Sequence, residues 1–389
     1  MTDKPLHPRT RAVHHGIRRS QYGEMAEALF MTQGFSYDSA EQAEARFIKV
    51  GDDEFIYARY GNPTSRMFED RIANLEGAED AFATASGMAA VNGALMSFAK
   101  PGDHIVSAKA LFGSCLYVLD VLARFGVEVT YVDGTDLDAW RAAIRPTTRA
   151  VFFESVSNPT LELVDIAGVA ELAHAVGALV IVDNVFATPV YSQAIAQGAD
   201  VVVYSSTKHI DGAGRCLGGV ICGTKQFVRE VAEPYLKHTG AAISPFNAWI
   251  MLNGLTTLDL RVRAMSETAS AFATALQADP ALKVIYPGLE SHAQHDLAMR
   301  QMGAGGTMVA VDVGSKERAY SAMNKMKIFQ ISNNLGDAKS IVTHPSTTTH
   351  SRLSPEVQAG LGITAGLLRL SIGLEDADDL LADFREALA

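Results

Sequence analysis

At 389 residues the chain is longer than one hydrophobic core usually organises, so two or more domains are expected. Hydrophobic residues at 48% and charged residues at 20% are ordinary for a soluble globular protein. The 33 Lys and Arg against 44 Asp and Glu leave a net charge of −11, which argues against nucleic acid or an anionic membrane as partner but permits a local basic pocket for a small anion.

In chain order, residues 7–19 are basic and punctuated, without the apolar stretch of a signal peptide. They read as an ordered arm, and the cytoplasm is the expected location. No run approaches the roughly 20 apolar residues of a membrane span. Cys115, Cys216 and Cys222 lack the spacing of a disulfide framework or a zinc site and suit a reducing compartment. A helix is predicted over 65–76 from the spacing of Met67, Phe68, Ile72 and Leu75, with Ser65 as its cap. Ser86-Gly87-Met88 opens a further helical stretch after the apolar segment 82–84. Short apolar runs at 103–107, 127–132, 150–153, 178–182 and 200–204 read as strands, with helices between them at 116–125 and 166–176.

Strands apolar on both faces and separated by helices imply a mostly parallel sheet covered on each side. Its ligand site belongs at the carboxyl ends of the strands, where Asp183 and Lys208 both fall. Beyond about residue 250 the texture changes. A long helical stretch over 245–276 leads into strand-like runs at 307–313, 327–331 and 367–373, and then into an amphipathic helix over 376–388 whose acidic residues read as a solvated face. The expected division is an N-terminal arm (1–60), a large cofactor-binding domain (61–250) and a smaller C-terminal α/β domain (251–389).

Lys208, in Tyr204-Ser-Ser-Thr-Lys-His209, would by itself be a surface lysine at a strand end. Its surroundings change that. Ser205 and Thr207 set two hydroxyls beside it, suited to phosphate oxygens. Gly87 at a helix start lets backbone N–H groups approach an anion, aided by the helix dipole, although a Ser-Gly pair is also a plain cap. Asp183, directly after an apolar run, either caps the next helix or holds a pyridinium nitrogen protonated, making the ring an electron sink. Arg369 interrupts the apolar run 367–372 and needs a partner, either a structural carboxylate or that of a substrate. In Tyr57-Ala-Arg59-Tyr60, the arginine suits a phosphate and the tyrosine a hydrogen-bonding or acid/base role. His344 and His350 are six apart with no carboxylate nearby, so no metal is expected. The glycine pairs Gly212/Gly214 and Gly218/Gly219 read as turn glycines.

Together these residues resemble the cysteine/methionine-metabolism family of pyridoxal-phosphate enzymes, from about residue 10 to the end. The motifs run in the family's order: Tyr57-x-Arg-Tyr-x-Asn-Pro-Thr64, Ser86-Gly-Met88, Val182-Asp-Asn184, Ser205-x-Thr-Lys208 and Arg369-Leu-Ser-x-Gly-Leu-Glu375. The resemblance implies a type I, aspartate aminotransferase-like α/β fold and usually a homotetramer of two intimate dimers. It implies pyridoxal 5′-phosphate held as a Schiff base on Lys208, which then shuttles protons, with Asp183 on the ring nitrogen. Gly87, Met88, Ser205 and Thr207 would hold the phosphate, with Tyr57 and Arg59 reaching in from a neighbouring subunit. Asn158 would lie near the ring's O3′, and Arg369 would bind the substrate α-carboxylate.

Two departures narrow the expected chemistry. Phe112 stands where the family commonly has a ring-stacking tyrosine; stacking survives, but the phenol does not, leaving proton transfer at the leaving group to Tyr57 or Lys208. Asn333 and Asn334 stand where cystathionine enzymes resemble one another in Glu-Ser-Leu-Gly. Without that carboxylate a second amino acid loses the partner of its ammonium, at about 1–3 kcal/mol for an unpaired buried group. A small nucleophile such as sulfide is therefore expected. Segments 24–30, 38–47 and 208–219 are most similar to the branch that uses a homoserine ester, O-succinylhomoserine, to make homocysteine. The alternatives are O-acetylhomoserine as donor, cystathionine synthesis, methionine γ-elimination or, remotely, a catalytically silent cofactor-binding regulator.

Overall fold

The computed structural model describes residues 6–51 and 53–389; residues 1–5 and 52 of the expected arm lie outside the described residues. Among the described residues there are twelve strands: β1 (Asp80–Thr84), β2 (His104–Ala108), β3 (Glu128–Val132), β4 (Thr148–Glu154), β5 (Leu179–Asp183), β6 (Val201–Tyr204), β7 (Gly219–Gly223), β8 (Lys283–Ile285), β9 (Met308–Asp312), β10 (Gln330–Ile331), β11 (Ile341–Thr343) and β12 (Leu367–Ser371). The first seven form one sheet in the order β1-β7-β6-β5-β4-β2-β3, and the last five another, β10-β11-β12-β9-β8.

In the larger sheet β3, β2, β4, β5 and β6 are mutually parallel, while β7 runs antiparallel between β6 and β1. The alternation of a pleated strand divides its side chains between two cores. Phe153, Val180, Val182 and Val202 face one cluster, closed by Met67, Phe68 and Trp140. Phe152, Ile181, Val203 and Ile221 face the other, closed by Leu95 and Leu119. Both faces are covered, as continuous apolar strands require. The fold is the mostly parallel α/β architecture of type I.

Several local expectations are corrected. The helix predicted at 65–76 is Pro63–Glu76, and its cap is Asn62 rather than Ser65. Asn62 Oδ1 accepts from Thr64 N–H at 2.9 Å, and Pro63 supplies a preset φ at the first helical position. Gly219 is no turn residue: it lies in β7, where a Cβ would sit 2.2 Å from the Ser86 carbonyl. A strand glycine here permits close backbone approach. The stretch 245–276 is two helices, Pro245–Thr256 and Leu258–Gln277, broken at Thr257; the Gly254 carbonyl near the break accepts from Arg261 Nη2 at 2.8 Å.

The smaller sheet is antiparallel except for the β10–β11 pair. Helices Leu258–Gln277 and Ala377–Leu388 cover it through Phe272, Leu276, Leu380 and Phe384. The acidic face of the last helix is not wholly solvated, because Asp383 is buried and accepts from the N–H groups of Lys327, Ile328 and Phe329 at 2.8, 3.0 and 3.3 Å. That also shortens the strand expected at 327–331 to Gln330–Ile331: the preceding N–H groups bond a carboxylate instead of a ladder. At the other end of the chain, helix Pro8–His14 packs on helix Pro63–Glu76, whereas helix Ala40–Ile48 buries no residue in this protomer.

Candidate active site

The carboxyl ends of β4, β5 and β6 open into a cavity of about 400 Å³ roofed by residues of the smaller sheet. Lining it are Gly87, Met88, Phe112, Asn158, Asp183, Ser205, Thr207, Lys208, Asn333, Asn334 and Arg369, so eleven of the thirteen residues singled out in the sequence meet there. Tyr57 and Arg59 do not line it. Tyr57 is half-exposed, and the Arg59 guanidinium lies over the Tyr60 and Tyr57 rings at 4.8 and 5.5 Å and donates to the Lys237 carbonyl.

Lys208 sits in a tight turn after β6. Its N–H donates to the Ser205 carbonyl at 3.2 Å, and its carbonyl accepts from Gly212 at 2.8 Å. Arg261 Nη1 bonds the next carbonyl, His209, at 2.7 Å, and His209 Nε2 meets Thr307 Oγ1 at 2.8 Å, tying the turn to the smaller sheet. Burial, with the charge of Arg369 adding to it, lowers the Lys208 ammonium to about 8. Its Nζ donates to Asn334 Oδ1. An amine held near neutrality on a rigid turn is equipped for nucleophilic attachment and proton transfer.

Asp183 ends β5; its Oδ1 accepts from Val185 N–H at 3.2 Å, and burial holds its carboxyl well above the usual range. Beside it Glu154, the last residue of β4, is raised too, first by burial and then by the charge of Asp183. Arg369 is fully enclosed. Nη1 donates to Asn158 Oδ1 at 2.9 Å, Nη2 donates to the carbonyls of Asn333 and Asn334 at 3.1 and 3.0 Å, and Nε has no partner among the described residues. Burial lowers it to about 10. An enclosed guanidinium with a donor left over is prepared for an anion.

Helix Gly87–Met96 points its first turn at the cavity, with the Ser86 hydroxyl accepting from Ala89 N–H at 3.2 Å. A Cβ on Gly87 would fall 2.5 Å from that of Ser205. That close seam brings helix N–H groups and the Ser205 hydroxyl together, the arrangement a phosphate requires. The Thr207 hydroxyl accepts from Gly218 N–H at 3.1 Å. The residues present therefore fit pyridoxal phosphate: an anion seat, a lysine with depressed proton affinity and a half-buried carboxyl for the ring nitrogen share one cavity.

Glu154 was not singled out in the sequence. The signal was available, since it ends an apolar strand as Asp183 does. His350, by contrast, is buried and pushed down to about 4 by burial and by Arg369, so it stays neutral. His344 bonds Thr347 Oγ1 and the Ala365 carbonyl, each at 2.8 Å.

A lysine of lowered proton affinity and an acid of raised proton affinity at the carboxyl ends of a mostly parallel sheet are what a type I pyridoxal-phosphate enzyme requires. The chain belongs to the Cys/Met metabolism PLP-dependent enzyme family, whose pattern matches residues 9–389. It is 50% identical to the O-succinylhomoserine sulfhydrylase of Mycobacterium tuberculosis over 388 residues, covering 98% of this chain and 95% of that one. It is 48% identical to the O-succinylhomoserine sulfhydrylase of Pseudomonas aeruginosa, over 98% of this chain and 94% of that one. A solved Campylobacter jejuni chain holding N′-pyridoxyl-lysine-5′-monophosphate superposes with a TM-score of 0.94 at 32% identity, over 98% of this chain and 100% of that one.

Proposed function

We propose that the protein catalyses a γ-replacement in which sulfide displaces succinate from O-succinylhomoserine, giving homocysteine for methionine biosynthesis. The observation that carries this reading is the charge distribution of the cavity. Its lining carboxylates are Glu154 and Asp183, while the segment that closes it offers the neutral Asn333 and Asn334. A second amino acid would bring an ammonium with no carboxylate on that segment to meet it, whereas hydrosulfide needs none. The identity to two O-succinylhomoserine sulfhydrylases supports the same donor and nucleophile.

When bound, pyridoxal phosphate supplies an electron sink that acidifies the protons on Cα and Cβ of the amino acid. Gly87, Met88, Ser205 and Thr207 are assigned to its phosphate, Phe112 to the face of its ring, Asn158 to O3′ and Asp183 to the ring nitrogen. Arg369 orients the substrate carboxylate. Lys208 would be the cofactor's attachment point, and its free amine would take the Cα proton and serve the later transfers. Tyr57, assigned to the neighbouring subunit's cavity with Arg59, assists at the γ-position, where the C–O bond breaks and the C–S bond forms.

The arm (1–60) is assigned to contacts with a neighbouring subunit, beside a large domain (61–250) and a small one (251–389), in a cytoplasmic homotetramer. Support comes from the exposed Met25, Phe47 and Ile48 on the arm. No helix among the described residues is long and apolar enough to cross a membrane. The deciding experiment is an assay of the purified holoenzyme with O-succinyl- and O-acetylhomoserine, each with sulfide or cysteine, and with methionine alone. Homocysteine formed fastest from the succinyl ester and sulfide supports the proposal. Cystathionine as main product, or α-ketobutyrate from methionine, overturns it. No turnover with a full cofactor complement would leave a silent binder.

A further inference from the structure

Glu154 pairs in register with Asp183 at the ends of β4 and β5. One oxygen of each carboxyl and the sulfur of Cys115 all lie within 4.8 Å of one another. The mechanism above leaves Glu154 without a role, although both of its oxygens are engaged. Oε1 accepts from the N–H of Phe112 at 2.6 Å, and Oε2 accepts from the N–H of Asn158 at 3.0 Å. These two residues are the ones assigned to the ring's face and to its O3′ edge. A single buried side chain thus ties together both residues meant to hold the ring laterally.

Three charged or titratable groups meet Glu154, each from a different neighbour: Asp183 from β5, Arg369 from β12 and the Cys115 thiol from helix Gly113–Arg124. Arg369 draws the Glu154 proton off, while burial and Asp183 hold it on. Two enclosed carboxyls this close do not ionise independently.

We propose that Glu154 is a positioning residue of the cofactor seat, fixing Phe112 and Asn158 against the ring and, as the second carboxyl beside Asp183, setting the pH range in which the bound cofactor stays protonated. The inference rests on the seat and on Lys208 as the attachment point; it is independent of the ester and the nucleophile. Only O–H bonds change: the pair gains a proton as pH falls and loses it as pH rises. Once ionised, Glu154 adds a negative charge that favours the protonated cofactor. A glutamine supplies no such charge and offers one acceptor oxygen to two N–H donors.

The test is a pH titration of the visible absorbance of the holoenzyme, with cofactor retention measured on dilution, for the wild type, Glu154→Gln and Glu154→Asp. Glu154→Gln is expected to move the midpoint to lower pH by roughly half a unit or more and to weaken retention about tenfold. Glu154→Asp keeps the charge, and so the midpoint, but is too short to reach both N–H groups, and so loses retention. A Gln variant that titrates and retains cofactor like the wild type overturns the proposal. Should that variant fail to fold, unchanged retention in Glu154→Asp overturns it instead. A wild-type protein with no visible band would remove the seat itself, a failure separate from these.

Discussion

Arg369 Nη1, on β12 of the smaller sheet, donates to Asn158 Oδ1, on the loop after β4 of the larger one, at 2.9 Å across 211 residues of sequence. The bond joins the group assigned to the substrate carboxylate with the residue assigned to the cofactor's edge. It also consumes the Asn158 acceptor, which leaves the amide nitrogen as the donor available to O3′.

Replacing Arg369 by Lys keeps a charge but removes the planar fork and the bond to Asn158. A loss of about 3 kcal/mol, roughly a hundredfold in kcat/KM, is expected, chiefly in KM for the homoserine ester. Steady-state kinetics decide it, and a change below about threefold would take Arg369 out of carboxylate binding.

At Gly87 an added methyl has no room, with Ser205 Cβ at 2.5 Å. Gly87→Ala should part the helix start from Ser205 and weaken cofactor binding by at least about tenfold, with far-ultraviolet circular dichroism unchanged. Absorbance titration of the apoprotein with pyridoxal phosphate measures it.

Lys208 titrates near 8 rather than at 10.5, because burial disfavours its charged form. The free amine is the reactive form, so reattachment of cofactor to the apoprotein should accelerate from pH 7 to about 9 and then level off. Stopped-flow growth of the visible band tests this, and a rate still climbing tenfold per unit above 9 would contradict it. The sign for stability follows. Between about 8 and 10.5 the unfolded chain holds the proton and the folded one does not, so this lysine's contribution to apoprotein stability rises with pH through that window.

Asn333→Glu restores a carboxylate to the segment closing the cavity. The ratio of kcat/KM for cysteine to that for sulfide should increase by about tenfold, near 1.4 kcal/mol. Competition assays with both nucleophiles present read the ratio directly, and an unchanged ratio would dissociate this segment from nucleophile choice.

Much of this architecture was legible from local pattern. The apolar runs over 150–153, 178–182 and 200–204 became β4, β5 and β6, because two-sided burial leaves a signature readable within a few residues. Boundaries were less legible where partners are distant. Asp383 reaches residues 327–329 across more than fifty positions and takes their N–H groups from the sheet. Gly219 read as a turn because the obstacle that demands glycine there, the Ser86 carbonyl, lies far away in the chain.

The sequence by itself determined the family and its cofactor and marked Lys208 as the expected attachment point, since the family's motifs are short segments met in its order. Those are short-range facts, set by backbone geometry and the alternation of side chains. Only the tertiary structure decided that Glu154 stands beside Asp183, that Arg369 spends its Nη1 on Asn158, and that Tyr57 and Arg59 stay outside their own chain's cavity. Strand order and sheet packing bring those groups together or keep them apart, and the energies that settle their charges depend on burial, which no local spacing records.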